Sequence, residues 1–207
     1  MADEIVFYTN PQSRGAITHW MLEEIGCPYR IEVLKFASTM KTPEYLALNP
    51  MGKVPTITHG NTVVTETGAI LCYLADAFPD AKLAPPLGQR GAYYRWLFFV
   101  AGCGEPAMTG KAAGWNPDTV ELQARFGYGS YERTIETVAR TVEGRRFIAA
   151  DHFTAADLYM AAFLNWGMML GMIDKRPVFD TYVRPHIDRP AAKRAMEQAE
   201  RLMAKAS

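Results

Sequence analysis

Asn49-Pro50-Met51-Gly52-Lys53-Val54-Pro55-Thr56-Ile57, followed shortly by Glu66-Thr67-Gly68-Ala69-Ile70, decides how this chain folds. Pro55 opens a β-rich run, Val54–Thr58. A proline cannot donate to a strand ladder, so it belongs at a strand start or a sheet edge. A second run, Thr62–Thr65, follows across His59-Gly60-Asn61, which reads as a hairpin turn. At Glu66-Thr67 the β pattern stops, and Gly68–Phe78 takes up helical spacing. A helix start offers unpaired N–H groups and a partial positive charge, so it can hold a carboxylate. Glu66 beside it can accept from an ammonium group. A plain helix cap is the simpler reading of the same residues. Only about 5–6% of X–Pro bonds are cis, so this segment alone predicts a trans Pro55. Were the bond cis, the Val54 N–H and C=O would face solvent, free to pair with another backbone.

Upstream, the pattern alternates between the two periods. Glu4–Tyr8 is β-rich, Ser13–Gly26 is helical, Tyr29–Leu34 is β-rich, and Pro43–Leu48 is a short helix. The order βαβ, short α, ββα is that of an α/β layer. Downstream, Pro79 to Gly88 is proline-rich and aperiodic, as a linker would be. Beyond it there is no strand pattern. Gln89–Ala101, Thr119–Glu143, Ala155–Leu170 and Ala191–Lys205 are helix-compatible, while Gly102-Cys103-Gly104-Glu105-Pro106 reads as helix-breaking. The expected domains are therefore an α/β domain at 1–79, a linker at 80–88 and an all-helical domain at 89–207. Thr154 and Asp157 read as a capping box, with Phe153 and Leu158 as its hydrophobic staple. A catalytic Asp157 is the lesser alternative.

Composition narrows the function. The chain has 207 residues, 49% of them apolar and 21% charged, with zero formal net charge. That is ordinary for a globular protein. It carries no electrostatic footprint for nucleic acid. The apolar stretch Phe163 to Ile173 is interrupted and too short for a bilayer, which needs roughly 20 apolar residues. The N-terminus lacks the basic and apolar regions of a secretory signal. Cys27, Cys72 and Cys103 are widely spaced, with no CxxC pair. This points away from disulfides and metal, and toward a reducing, cytoplasmic setting.

Tyr8-Thr9-Asn10-Pro11-Gln12-Ser13-Arg14-Gly15 joins the first strand to the first helix. Hydroxyl and amide groups at a helix start can stabilise a thiolate. A free thiol has a pKa of about 8.5. Lowering it by two units takes roughly 2.7 kcal/mol, the size of one or two charge-assisted hydrogen bonds. Ser13 as a simple cap is the structural alternative.

Taken in order, the NPxGKVPTI run at Asn49–Ile57, the ETGAILCYLADAFP run at Glu66–Pro79 and the FTAADLYMA run at Phe153–Ala161 resemble the cytosolic glutathione transferase superfamily, in its bacterial theta-, beta- and nu-like forms. The likeness covers nearly the whole chain. It implies a thioredoxin-like domain followed by a helical one, and glutathione as co-substrate with no metal. By this resemblance Pro55 is cis and Val54 pairs with the cysteinyl backbone of glutathione. Glu66 and Thr67 hold its γ-glutamyl end, with Thr67 standing where the family most often has serine. Lys53 lies near the glycyl carboxylate or the cysteinyl region.

The thiol-activating residue departs from the family pattern. Tyr8 belongs to the strand end, and no cysteine stands at Ser13–Arg14. Where theta- and delta-like relatives place serine, this chain has Asn10. Ser13 is preferred as the residue that meets the thiol, with Asn10 next and Thr9 third. In the helical domain Phe99, Glu105, Met108, Trp115 and Trp166 are the residues expected to meet a hydrophobic electrophile, although such apolar stripes more often form core. The expected activity is conjugation of glutathione, as in detoxification. The alternatives are glutathione-dependent disulfide or peroxide reduction, and non-catalytic glutathione binding. A homodimer is expected too, with Met51 where some classes carry an aromatic dimer key. Neither nucleic acid nor membrane is an expected partner.

Overall fold

The computed structural model describes residues 4–206, with side chains as far as residue 204. By contacts the chain divides into two units, Met1–Lys82 with Arg189–Ser207, and Leu83–Asp188. The expected boundaries (which include residues 1–3 and 207, outside the described residues) put the last helix with the helical domain; by contacts it groups with the first unit.

In the first unit, β1 (Ile5–Thr9), α1 (Gly15–Ile25), β2 (Tyr29–Val33), α2 (Pro43–Leu48), β3 (Thr56–His59), β4 (Thr62–Thr65) and α3 (Thr67–Ala77) follow one another, and α10 (Pro190–Ala206) joins them. The sheet order is β2-β1-β3-β4. β1 runs parallel to β2 and antiparallel to β3, and β3 is antiparallel to β4. Phe7 stands opposite both Ile31 and Ile57. Ile5, Phe7 and Ile57, with Met21, Leu22, Ile70, Leu71 and Leu74 from α1 and α3, are buried and form the core. This is the expected thioredoxin-like arrangement. Gly26 ends α1 in a left-handed conformation at φ 71°, which glycine adopts without a Cβ penalty.

The second unit is helical: α4 (Gly91–Phe99), α5 (Glu105–Ala112), α6 (Val120–Arg125), α7 (Tyr131–Val142), α8 (Ala155–Met169) and α9 (Pro177–Ile187). Three details differ from the sequence reading. Gly102–Pro106 does not break the helix: Val100–Gly104 is a π-turn that passes α4 into α5. Pro106 falls in the first turn of α5, just after Glu105 N–H donates back to Val100 C=O across the π-turn. Thr119–Glu143 is two helices, because Gly127-Tyr128-Gly129 interrupts it and Ser130 starts α7 as an N-cap for Arg133 N–H. α9 was not expected, since Pro177 and Pro185 disguise its pattern; Pro177 sits in its first turn and Pro185 inside it.

Thr154 and Asp157 form the expected reciprocal box at the start of α8. Asp157 does more than cap. Fully buried, it accepts from Thr154 N–H at 2.9 Å, Thr154 Oγ1 at 3.0 Å, Ile148 N–H at 2.8 Å and Tyr182 Oη at 3.0 Å. Burial first, and then Asp157, push the Tyr182 phenol well above its ordinary range, so it stays a donor. Asp157 thus ties α8, α9 and the preceding loop together.

Candidate functional site

Strand register brings three sequence segments to one end of the sheet. Tyr8 pairs with Thr56, and Thr56 pairs with Thr65. Thr9 and Asn10, which follow Tyr8, Val54 and Pro55, which precede Thr56, and Glu66 and Thr67, which follow Thr65, therefore gather beyond the same edge of three adjacent strands.

The Val54–Pro55 peptide is cis, in agreement with the family resemblance and against the reading of that segment alone. The Val54 N–H and C=O form no hydrogen bond among the described residues. Around them the turn is held firmly. Asn49 Nδ2 donates to Lys53 C=O at 2.9 Å, as does the Tyr45 hydroxyl, and Lys41 Nζ donates to Gly52 C=O at 3.1 Å. Gly52 has φ 58°, and a Cβ there would lie 2.7 Å from Met40 C=O, so glycine is required. Lys53 itself is exposed.

Glu66 is exposed and takes φ 67°, ψ 121°. That backbone region is costly for a residue with a Cβ, by about 1–3 kcal/mol, and such outliers gather at ligand sites. No side chain caps α3, so its first-turn N–H groups remain available. Thr67 is buried, and its hydroxyl makes no hydrogen bond among the described residues.

In the first loop Ser13 Oγ donates to Asn10 C=O at 2.6 Å and accepts from Gly15 N–H at 3.0 Å. Its proton is therefore engaged within the loop. Asn10 donates one amide hydrogen to Leu34 C=O at 2.8 Å, and its side-chain oxygen accepts from Gln12 N–H at 3.0 Å. The second amide hydrogen is left over. Thr9 is 2% exposed, and a Cβ on Gly15 would fall 2.0 Å from its Oγ1. Only glycine lets α1 start this close to β1.

The five electrophile candidates all lie in the second unit. Phe99, Glu105 and Trp166 are partly exposed, and Trp115 is exposed. Glu105 accepts from Tyr159 Oη at 3.1 Å, and Trp115 meets Phe126 edge-on at 4.7 Å. Met108 is buried, its sulfur 3.1 Å from where a Cβ on Gly167 would stand. A cavity of about 630 Å³ in the same unit is lined by Asn165, Met168 and residues of α9 and contains none of the five. Sequence reasoning did not mark it; the hidden helix α9 forms most of its wall. Burial pushes the Cys27 and Cys103 thiols up, as suits inert cysteines. Among the described residues, no helix is long and apolar enough to cross a membrane.

Comparison with known proteins agrees with this fold. The family model for the glutathione S-transferase N-terminal domain matches residues 15–77. Glutathione S-transferase GST-4.5 of Xanthomonas campestris is 31% identical over 171 residues, covering 80% of this chain and 83% of that protein. Glutathione S-transferase 1 of Schizosaccharomyces pombe is 33% identical over 163 residues, covering 73% of this chain and 69% of that protein. Among solved structures, a glutathione transferase from Methylococcus capsulatus superposes with a TM-score of 0.76 at 28% identity, over 95% of this chain and 98% of its own. A sphingomonad glutathione S-transferase complexed with glutathione gives 0.76 at 26% identity, over 94% and 98%. The chain belongs to the glutathione S-transferase family.

Proposed function

We propose that this protein binds glutathione at the sheet end, lowers the pKa of its thiol, and lets the thiolate attack a hydrophobic electrophile. The observation that carries the reading is the pairing of an uncapped α3 start, Glu66-Thr67, with the unpaired backbone of Val54 beyond the same strand ends. Val54 takes the cysteinyl backbone, as an added strand would. The α3 N–H groups and Thr67 take the γ-glutamyl carboxylate, Glu66 its ammonium, and Lys53 the glycyl end. The thiol proton leaves to solvent; the sulfur then forms the new bond as the leaving group departs. Binding contributes proximity, and the helix start contributes electrostatic stabilisation.

Within the loop, Asn10 is the better donor toward the sulfur, because the Ser13 proton is engaged with Asn10 C=O. Phe99, Glu105, Trp115 and Trp166 are put forward for electrophile contact, since each has accessible surface. A cytoplasmic detoxifying homodimer completes the reading; Met51, 68% exposed, supplies an apolar contact for it. Sedimentation across dilution tests that assembly.

Asn10 and the cysteine-free loop also support a second reading, reduction of disulfides by two glutathione molecules. Turnover of an aromatic halide against a glutathione mixed disulfide separates the two. Faster conjugation supports the first, and disulfide turnover without conjugation replaces it with the second.

A further inference from the structure

α1 ends in Glu23-Glu24-Ile25 with no basic residue in its last turn. Two carboxylates there face the partial negative charge of the helix C-terminus, and a cation from elsewhere must offset them. The chain beginning at Arg189 supplies two. Arg189 Nε and Nη2 donate to the two oxygens of Glu24 at 2.6 and 2.7 Å. Arg194 Nε donates to Glu23 Oε2 at 2.7 Å, and its Nη2 to the Glu23 carbonyl at 2.9 Å. The Glu24 side chain is only 7% exposed, and Trp20 Nε1 also donates to it at 2.9 Å.

Further along α10, Gln198 closes the contact. Its Oε1 lies 2.8 Å from His19 Nε2, and its Nε2 donates to Glu23 Oε1 at 3.1 Å. Tyr29 Oη, from β2, donates to the same Glu23 oxygen at 2.5 Å. α10 is thus clamped along α1 from His19 to Glu24. A bidentate arginine fixes orientation as well as charge, which mere neutralisation would not need.

The other end of α1 is seated on the thiol loop. Gly15 N–H donates to Ser13 Oγ, and Gly15 packs against Thr9 with no room for a methyl group. An 11-residue helix moves as a rigid body, so a shift at Glu24 reaches Thr9 and Ser13. We propose that Arg189 and Gln198 are positioning residues: they hold α1 in the placement that aims the Asn10–Ser13 loop at the glutathione sulfur. This rests on the reading that the loop meets the thiol.

The test compares Arg189→Met, Arg189→Lys and Gln198→Leu with wild type; Gln198→Leu leaves both ion pairs intact and so guards against a folding failure. The readouts are the thiol pKa of bound glutathione, from thiolate absorbance, and kcat with an aromatic halide. Arg189→Met and Gln198→Leu are expected to raise the thiol pKa by about half a unit and lower kcat roughly three- to tenfold, while glutathione affinity changes little. Arg189→Lys restores part of the loss, because lysine cannot bind bidentately. Variants with a lower Tm but wild-type thiol pKa and kcat overturn the proposal, leaving the clamp purely structural. A wild-type protein with an unshifted thiol pKa defeats the reading of the loop and takes the proposal with it.

Discussion

Ser13 Oγ donates its proton to the carbonyl oxygen of Asn10 at 2.6 Å. A serine so engaged builds the loop, whereas the spare amide hydrogen of Asn10 is free to meet a sulfur. Ser13→Ala is therefore expected to cost about 1 kcal/mol of stability through the lost loop hydrogen bonds to Asn10 C=O and Gly15 N–H, with a small change in thiol pKa. Asn10→Ala is expected to raise the thiol pKa more. Denaturant melts and thiolate absorbance on both variants check this; the reverse ranking would return the role to Ser13.

Glu66 combines a strained backbone with a proposed ligand contact, so two substitutions should separate them. Glu66→Gly relieves the positive φ and is expected to hold or raise the Tm. Glu66→Ala keeps the strain. Both lose the ammonium contact, and glutathione affinity should fall by about 1.5–3 kcal/mol in each. Calorimetric titration reads the affinity; unchanged binding in both would remove Glu66 from the site.

His19 gives a pH signature. Burial lowers its pKa, outweighing the raising effects of Gln198 and Glu23. The unfolded chain, with a histidine pKa of about 6.5, then binds the proton more readily than the folded one. Stability is complete above that value, falls as pH drops below it, and levels off once the folded-state pKa is passed. Glu23 has a lowered pKa: burial alone would raise it, but the Tyr29 and Arg194 hydrogen bonds prevail. Its contribution fades only at more acidic pH, through the carboxylate range. Melting curves of wild type and His19→Gln should diverge in slope below about pH 6.5; parallel curves would argue against a neutral buried His19.

Asp157→Ala tests a structural role. A simple cap would cost about 1 kcal/mol. Because four donors converge on this fully buried carboxylate, the expected loss is about 3–4 kcal/mol. Glutathione affinity of the folded protein should be unchanged. A loss of activity at full stability would assign Asp157 a chemical role instead.

The sheet-containing unit was legible because its signals are local. Pro55 at a strand start, His59-Gly60-Asn61 between two β runs and a helix beginning after Glu66 are each fixed by neighbours in sequence. The same holds for the Thr154–Asp157 box. What escaped was set by distant partners. Glu23 and Glu24 at the end of α1 were a sign of missing cations, but nothing nearby in sequence names Arg189 and Arg194. Pro185 hid α9, because tertiary packing tolerates a proline that local propensity rejects. Gly102–Pro106 reads as a helix break, yet the chain there passes through a π-turn, Val100–Gly104, that brings Gly104 against the ring of Phe163. Ser13 reads as a donor from its place near the helix start; the bond that engages its proton forms only in the folded loop.

The most direct measurement is titration of the glutathione thiol in the wild-type complex, followed by thiolate absorbance. A midpoint about two units below the free value, near pH 6.5, is expected if the sheet-end site activates the sulfur. Saturable binding with a midpoint still at about 8.5 would contradict it.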